Sequence, residues 1–232
     1  MLWKEDKVSL PNNKELALKR LASIEKRLKR LPEIKEKYQN GIQTFLNNGW
    51  AKIVPSNETT NSLILNYIPH HFVLHPHKPG KVRIVFDAAA KYANSSLNEN
   101  LTSGPDLLNN LVSVLTRFRT GKIAMMSDIE QMFHQVLVPE KDQNSLRFLW
   151  RNQQSNIIEE YKFLIHFQGK TDSPCCCNWA LRKCAENQEK RYQKQSPKTF
   201  IWMTSLVAVS HQKKLLTLQR NSYSHFRREA SD

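Results

Sequence analysis

The sequence predicts an α+β fold in which helices cover a mixed sheet. Apolar residues recur with a helical period over residues 14–48 and again after Pro105, whereas short runs of β-branched and aromatic residues fill the stretches between. The clearest strand covers residues 81–86, after a Lys-Pro-Gly turn. Strands and helices do not alternate regularly, so a doubly wound parallel sheet is not expected.

The N-terminal segment, residues 1–55, is predicted to be a basic helical hairpin. A first apolar stripe ends at Pro32 and a second stripe follows it, and the two consist of Leu21, Ile24, Leu28 and Leu31, then Ile34, Tyr38 and Ile42. The other faces carry cations suited to a phosphate backbone, among them Lys19, Arg20, Lys26 and Arg27. The alternative is that the hairpin only packs on the core.

The charge of the chain is unevenly distributed. Lys and Arg outnumber Asp and Glu by 35 to 21, a net charge of +14 over 232 residues. Residues 1–54 hold 12 basic and 6 acidic side chains and residues 182–232 hold 11 and 4, so the middle is nearly neutral. Basic arms on a compact centre favour RNA or DNA as partner. The alternative is a solvated helix face and a basic, disordered tail over 211–232.

The composition argues against two classes of protein. No stretch has the roughly eighteen uncharged apolar residues of a membrane span, so no membrane partner is expected. The four cysteines, three of them adjacent at 175–177, lack the spacing of a disulfide framework. We therefore expect reduced thiols in an intracellular protein of the cytoplasm or nucleus.

Further elements are predicted along the rest of the chain. One helix starts at Pro105 and another covers residues 174–192. The predicted strands are 62–67, 71–74, 81–86, 123–126, 136–138, 146–150 and 161–165, followed by a hairpin of 200–202 with 206–209.

Asp128 stands at the end of one apolar strand. Nucleotidyl transfer uses hard oxygen ligands that hold Mg²⁺ on rigid strands, and a two-metal site clamps the attacking and leaving oxygens. One strand-end carboxylate is half of such a site. The alternative for Asp128 is a turn or N-cap role.

Two other segments suit phosphates. Lys81 and Arg83 alternate on one face of a strand, and the turn from Gln168 to Pro174 combines a glycine with the Ser-Pro start of a helix. Such a turn presents N–H groups to phosphates or packs against a template strand. The alternatives are solvated charges and a plain loop.

One family pattern runs through much of the chain. It includes Trp3–Asp6, Leu10–Asn13, Lys19–Leu21, Tyr67–His71, His75–Pro76, Lys81–Asp87, Ser96–Asn98, Gly104–Leu107, Asp128–Val136, Arg147–Trp150 and Ser173–Lys183. Over residues 2–190 these segments resemble the reverse transcriptase region of BEL/Pao-type LTR retrotransposon polyproteins. The resemblance implies the fingers and palm portion of a right-hand polymerase fold, with fingers over 56–122, palm over 123–210 and no thumb.

The resemblance also implies roles for individual residues. Asp128 would be the first metal-binding aspartate and the catalytic residue, and the carbonyl of Ile129 would be a further ligand to Mg²⁺. Phe133 would lie under the sugar and exclude a 2′-hydroxyl. Lys81 and Arg83 would contact the triphosphate, and Gln168 would line the nucleotide pocket. In the turn that follows, Gly169, Ser173 and Pro174 would contact RNA or DNA.

The second half of the metal site is missing. The family needs an aromatic-x-Asp-Asp turn, but here the chain reads Phe200-Ile201-Trp202-Met203-Thr204-Ser205, with no acid. Trp and Met have single codons, so residues 202–204 are encoded by TGG-ATG-ACN, and these bases read one position over contain GAT-GAC, which is Asp-Asp. We therefore infer a slip of the reading frame that replaced the catalytic turn by Trp202, Met203, Thr204 and Ser205, either in the gene itself or through an error in the gene model.

A chain without these carboxylates is expected to be inactive. They supply several kcal/mol of transition-state stabilisation, on the order of a thousandfold in rate. Two function hypotheses follow: a reverse transcriptase fragment that has lost its catalysis, and a noncatalytic protein that binds nucleic acid. A relic with no selected role is the third.

Other candidates have plainer explanations. The histidines at 70, 71, 75 and 77 allow a zinc site by spacing, but a scaffold role is favoured. Packing is favoured over chemistry for the cysteines at 175–177. Glu130 and Asp87 are carboxylates near the predicted sites, with a salt bridge or turn as the expected role of Glu130.

Overall fold

A computed structural model describes residues 1–6, 8, 10–55, 58, 64–75, 77–78, 80–119, 123–191, 200–201 and 204–209. For 123–125, 127, 185–191, 200–201 and 204–209 only the backbone is described. The predicted tail over 211–232 lies outside the described residues. None of the helices in the described part is long and apolar enough to cross a membrane.

The chain divides into two compact units, Met1–Ser103 with Val138–Ser173, and Gly104–Leu137 with Pro174–Asp232. The division predicted from sequence, at residues 55, 122 and 210, stays a prediction.

Helices and strands are mixed along the chain. The helices are α1 (Lys14–Leu28), α2 (Pro32–Asn47), α3 (Leu111–Phe118), α4 (Glu140–Gln143) and α5 (Ser173–Arg191). The strands are β1 (Ala51–Ile53), β2 (His70–Leu74), β3 (Val82–Phe86), β4 (Ile123–Asp128), β5 (Arg147–Arg151), β6 (Ile158–Phe163), β7 (Phe200–Ile201) and β8 (Thr204–Val209). The predicted α+β class is confirmed at this level.

The first unit is built on the predicted helical hairpin and two antiparallel sheets. In α1 the stripe residues Leu21, Ile24 and Leu28 are buried. The sheets are β1-β6-β5 and the pair β2-β3, with His70 opposite Phe86. Pro32 does not end α1, which stops at Leu28, but begins α2, where its missing N–H costs no hydrogen bond.

Aromatic side chains fill the core of the first unit. The rings of Phe86 and Phe163 are 4.6 Å apart at their centroids, and those of Phe148 and Phe163 are 5.0 Å apart. Tyr38 and Ile42 of α2 close this core with almost no exposed surface. Burial of these large rings, in edge-to-face and tilted contact, stabilises the first unit.

The second unit contains the sheet β4-β8-β7, all antiparallel. Among its described side chains, Met132, Phe133 and Cys177 form a buried cluster.

Three predicted elements differ from the structure. Residues 64–66 form no strand, and Tyr67 makes only an isolated bridge to Arg147; residues 61–63 lie outside the described part. No strand covers 136–138: a 3₁₀ helix occupies Met132–Gln135, and after it Leu137 forms only a single bridge while the N–H of Val138 donates to the carbonyl of Leu164 (2.8 Å).

The third difference is α3, which begins at Leu111 and not near Pro105. The side chain of Asp106 accepts a hydrogen bond from the N–H of Leu108 (2.8 Å), an Asx turn that competes with helix formation. The helix starts where Asn110 caps it by accepting from the N–H of Ser113 (3.0 Å).

Candidate active site

Asp128 is the last residue of β4 and its side chain is exposed. Its backbone pairs with Thr204 of β8, and Ser127 pairs with Ser205. Ile201 pairs in turn with Thr204, so only two residues connect β7 to β8. The strand end that carries Asp128 therefore lies beside the hairpin of β7 and β8.

This register decides what the sheet could do chemically. Directly opposed residues of an antiparallel pair share a face with Cα atoms about 4.5–5.5 Å apart, and Thr204, the residue opposite Asp128, directly follows the two-residue turn. The sequence has Trp202 and Met203 in that turn, and Asp128 is the sole acidic residue of the three strands. A single carboxylate leaves most of the octahedral coordination of two Mg²⁺ ions unfilled.

The segment after Asp128 is held by packing. Phe133 is only 7% exposed and lies in the cluster with Met132 and Cys177, against which Ile129 also packs. The predicted packing role of the cysteines is confirmed for Cys177. The roles of Phe133 at the sugar and of the Ile129 carbonyl at the metal stay predictions.

The carboxylate of Glu130 is exposed. The backbone carbonyl of Glu130 accepts a hydrogen bond from the side chain of Gln135 (3.3 Å). Burial lowers the pKa of His134 to about 4, so this imidazole is neutral at pH 7.

Lys81 and Arg83 belong to the first unit and are both exposed. Arg83 pairs with Val73 across the β2-β3 hairpin. The inner face of the same hairpin carries Phe72 and Phe86, both buried. The strand alternation predicted from the sequence therefore puts the two cations together on the outer face.

His70 is a core residue and does not support the zinc alternative. One ring nitrogen is hydrogen bonded to the hydroxyl of Tyr38 and the other to the carbonyl of Leu149 (2.8 Å). Burial lowers its pKa to about 4, which keeps it neutral. His71 lies on the opposite face of β2.

The turn from Gln168 to Pro174 is held from inside the protein. Gly169 has φ 105°, a conformation that favours glycine, and its carbonyl accepts from Asn98 (2.9 Å). The N–H of Thr171 donates to the side-chain oxygen of Asn98 (2.9 Å). Gln168 and Gly169 are exposed and remain available to a ligand.

The end of the same turn is mostly buried. Ser173 is fully buried with its hydroxyl 3.2 Å from a ring nitrogen of His166, whereas Pro174 is exposed. A buried ion pair joins Lys170 to Asp172 (2.8 Å). The predicted contacts of this turn with nucleic acid stay predictions, and Ser173 could make one only if the turn moved.

The cations of α1 differ in their surroundings. Lys19 pairs with Glu15 (2.6 Å), Arg20 lies 3.9 Å from Asp87, and Arg27 stacks over the ring of Phe72 (4.6 Å). Lys26 is exposed, as are Lys29 and Arg30. A strongly basic, solvent-facing helix surface is present as predicted, and its partner stays a prediction.

Two residues had no role in the sequence interpretation. Asn98 holds the Gly169 turn across 71 residues of sequence, a contact that no local pattern shows. The spacing of the histidines gave His75 only a zinc or scaffold role. The signal that could have found it is its position two residues after Val73, on the outer face that strand alternation predicts for β2.

The chain is similar in fold to two solved structures. One is the foamy viral protease-reverse transcriptase dRH in complex with double-stranded DNA, with a TM-score of 0.57 and 15% identity over 82% of this chain and 29% of that one. The other is the foamy viral protease-reverse transcriptase in complex with double-stranded DNA, with a TM-score of 0.56 and 15% identity over 83% of this chain and 34% of that one.

The likeness has a clear scope. This chain spans about a third of the length of those proteins. No protein-family model matches the chain. No curated protein matches it either. The similarity to the two solved structures shows that the mixed helix-and-sheet fold is that of a reverse transcriptase-like domain. The sequence predicted the fold at this level.

Proposed function

We propose that this chain derives from the reverse transcriptase of a BEL/Pao-type LTR retrotransposon. In this proposal it is the fingers and palm portion of an RNA-directed DNA polymerase that binds RNA or DNA and no longer polymerises. The resemblance of the sequence motifs and the reverse transcriptase-like fold support the ancestry.

One observation carries the proposal. Asp128 has an exposed carboxylate at the end of β4, and its backbone pairs with β8 of the hairpin. The codons at the turn of that hairpin encode two Asp residues when they are read in the shifted frame. A turn or N-cap role for Asp128 does not require a position beside that hairpin. A polymerase site that has lost two of its carboxylates accounts for this position.

Mg²⁺ is the cofactor that this donor set suits, because carboxylate and carbonyl oxygens are its preferred ligands. Asp128 and the carbonyl of Ile129 would hold the ion. It would neutralise charge on the transferred phosphoryl group. With a single carboxylate, the site is expected to bind Mg²⁺ weakly.

The decisive experiment is primer extension with a restored turn. The double variant Trp202→Asp with Met203→Asp restores the aromatic-x-Asp-Asp pattern and should extend an RNA-templated DNA primer in Mg²⁺, whereas the chain as it stands should give background. Adding Asp128→Asn to the double variant is the matched control and should abolish the gain. No extension by a folded, Mg²⁺-binding double variant would contradict the polymerase ancestry of the site.

The noncatalytic alternative is favoured by the exposed cations of α1. It predicts binding to RNA or DNA that weakens with salt and is unaffected by Asp128→Asn, because phosphate contacts release counterions and need no metal. If binding is present and the restored turn stays inactive, nucleic-acid binding alone is the function.

A further inference from the structure

We propose that His75 is a third phosphate-binding side chain of the β2-β3 hairpin, donating its Nε2–H to a phosphate oxygen beside Lys81 and Arg83. This rests on the proposed function in so far as that function brings phosphates to this hairpin. The ligand is the phosphate group of a nucleoside triphosphate or of a nucleic-acid backbone.

The first step is the position of His75. The β2-β3 ladder ends with Leu74 opposite Val82, and the N–H of His75 then donates to the carbonyl of Lys81 (3.2 Å). His75 is thus the cross-strand neighbour of Lys81. By alternation it shares the outer face with Val73 and Arg83, while Phe72 and Phe86 of the inner face are buried.

The second step is the tautomer of His75. Its Nδ1 accepts a hydrogen bond from the backbone N–H of His77 (3.1 Å). A nitrogen that accepts carries no proton, so in the neutral ring the proton is on Nε2. Nε2 lies across the ring from this bond, which leaves it as a donor on a half-exposed side chain.

The third step is the charge around His75. His77 lies beside His75, with the ring centroids 6.3 Å apart. Lys78 and Lys81 are main-chain neighbours, since the N–H of Lys78 donates to the carbonyl of His75 (3.3 Å) and the N–H of His75 donates to the carbonyl of Lys81, and Arg83 shares the outer face by alternation. Lys37 of α2 donates to the carbonyl of Gly80 (2.8 Å) at the tip of the turn. The sequence contains no acidic residue between Glu58 and Asp87. A phosphate with several acceptor oxygens therefore meets neutral or positively charged donors at this turn. Residues 59–86 supply no carboxylate that would repel it.

The test is binding at pH 8, where histidine side chains are ordinarily neutral. Two probes are used with the full chain: fluorescently labelled dTTP, and a labelled DNA duplex measured by anisotropy. His75→Ala should weaken binding of at least one probe about 3- to 10-fold, the net contribution of one typical hydrogen bond. The probe that responds tells whether the phosphate belongs to a triphosphate or to a strand.

Two further variants sharpen the result. His77→Ala keeps the backbone N–H that orients His75 and removes a neighbouring exposed imidazole, so it should leave binding within about 2-fold. His75→Asp keeps an acceptor for that N–H, as in an Asx turn, but adds a negative charge, so it should weaken binding more than His75→Ala.

The outcomes separate this proposal from the proposed function. If Arg83→Ala weakens binding and His75→Ala does not, His75 has no phosphate role. If Arg83→Ala has no effect either, the assignment of phosphates to this hairpin fails with it.

Discussion

Two antiparallel hairpins of this chain differ in the charged groups that they offer to phosphate chemistry. The β2-β3 hairpin keeps exposed cations on its outer face, at Lys81 and Arg83. The β7-β8 hairpin lies in register with Asp128 but its turn has no acid. Attraction of phosphates needs only positive charge, whereas nucleotidyl transfer needs carboxylates that hold metal ions. In the proposed function, the first hairpin therefore keeps binding while the second no longer supports catalysis.

The difference also shows why such a loss is compatible with folding. The side chain of Asp128 is exposed, and exposed acids contribute little to stability. The hairpin backbone pairs without them, since strand pairing uses main-chain groups. In the proposed function, loss of the turn acids would thus remove the chemistry and leave the sheet.

The largest expected effect comes from returning acids to the second hairpin. In Trp202→Asp with Met203→Asp we expect Mn²⁺, a paramagnetic substitute for Mg²⁺, to bind at least about 100-fold more tightly than to the unchanged chain, since two carboxylates join Asp128. Electron paramagnetic resonance titration measures the free ion. Asp128→Asn in the same background should remove most of the gain, and an equal affinity in all three proteins would break the comparison.

A second test contrasts the two faces of β2. His70 is 5% exposed, and His70→Ala would empty a core site and leave the Tyr38 hydroxyl and the Leu149 carbonyl without their partner. We expect the free energy of unfolding to fall by about 3–4 kcal/mol.

The matched control is His71→Ala on the outer face, which should cost less than about 0.5 kcal/mol. Urea unfolding followed by tryptophan fluorescence measures both variants, and Trp150 lies 5.9 Å from the His70 ring as a local reporter. Similar losses of unfolding free energy in the two variants would mean that the inner and outer faces of β2 do not differ in what they contribute to stability.

A third test uses acid. Burial lowers the pKa of His70 to about 4, from the ordinary 6.5, so the folded state binds this proton less readily than the unfolded state. Its contribution to stability is complete above pH 6.5 and is lost as the pH falls towards 4, by about 3 kcal/mol. His166, whose pKa burial lowers to about 3, acts in the same direction.

The control for acid is His70→Gln, which keeps a polar side chain but cannot titrate. Its free energy of unfolding should fall less steeply between pH 6.5 and 4.5 than that of the unchanged chain. Chemical denaturation at several pH values measures the slope, and equal slopes would mean that His70 is not the acid-sensitive group.

The smallest expected effect concerns the third basic region, α1. Lys26, Lys29 and Arg30 are exposed and take part in none of the ion pairs found among the described residues, whereas Lys19 is compensated by Glu15. Replacing these three with Ala should weaken binding to duplex DNA a few-fold and flatten the dependence of log K on log salt by about 1–3 units.

Lys19→Ala is the control for α1 and should change the salt slope less. Anisotropy titrations from about 50 to about 200 mM salt measure both. If the triple variant binds like the unchanged chain, the basic face of α1 is only solvated, and the β2-β3 hairpin is left as the phosphate surface of the first unit.

Local sequence patterns predicted a large part of the fold. The stripes of α1 and α2, the strand at 82–86 and the hairpin near residue 204 depend on periodicity and turn residues, which act over a few positions. The start of α3 was placed too early because Asp106 bonds to the backbone and opposes the helix, a competition that a count of apolar positions does not include.

The sequence by itself determined the alternation that puts Lys81 and Arg83 on one strand face, the absence of acid at residues 202–205, and the codons behind it. These depend on neighbouring residues only. The tertiary structure alone decided that Asp128 lies in register with Thr204, that Asn98 holds the Gly169 turn, and that His70 is buried while His75 is oriented towards solvent. The reason is physical: strand pairing and side-chain burial join residues far apart in the chain, and the long-range packing that selects them is not encoded in any local period.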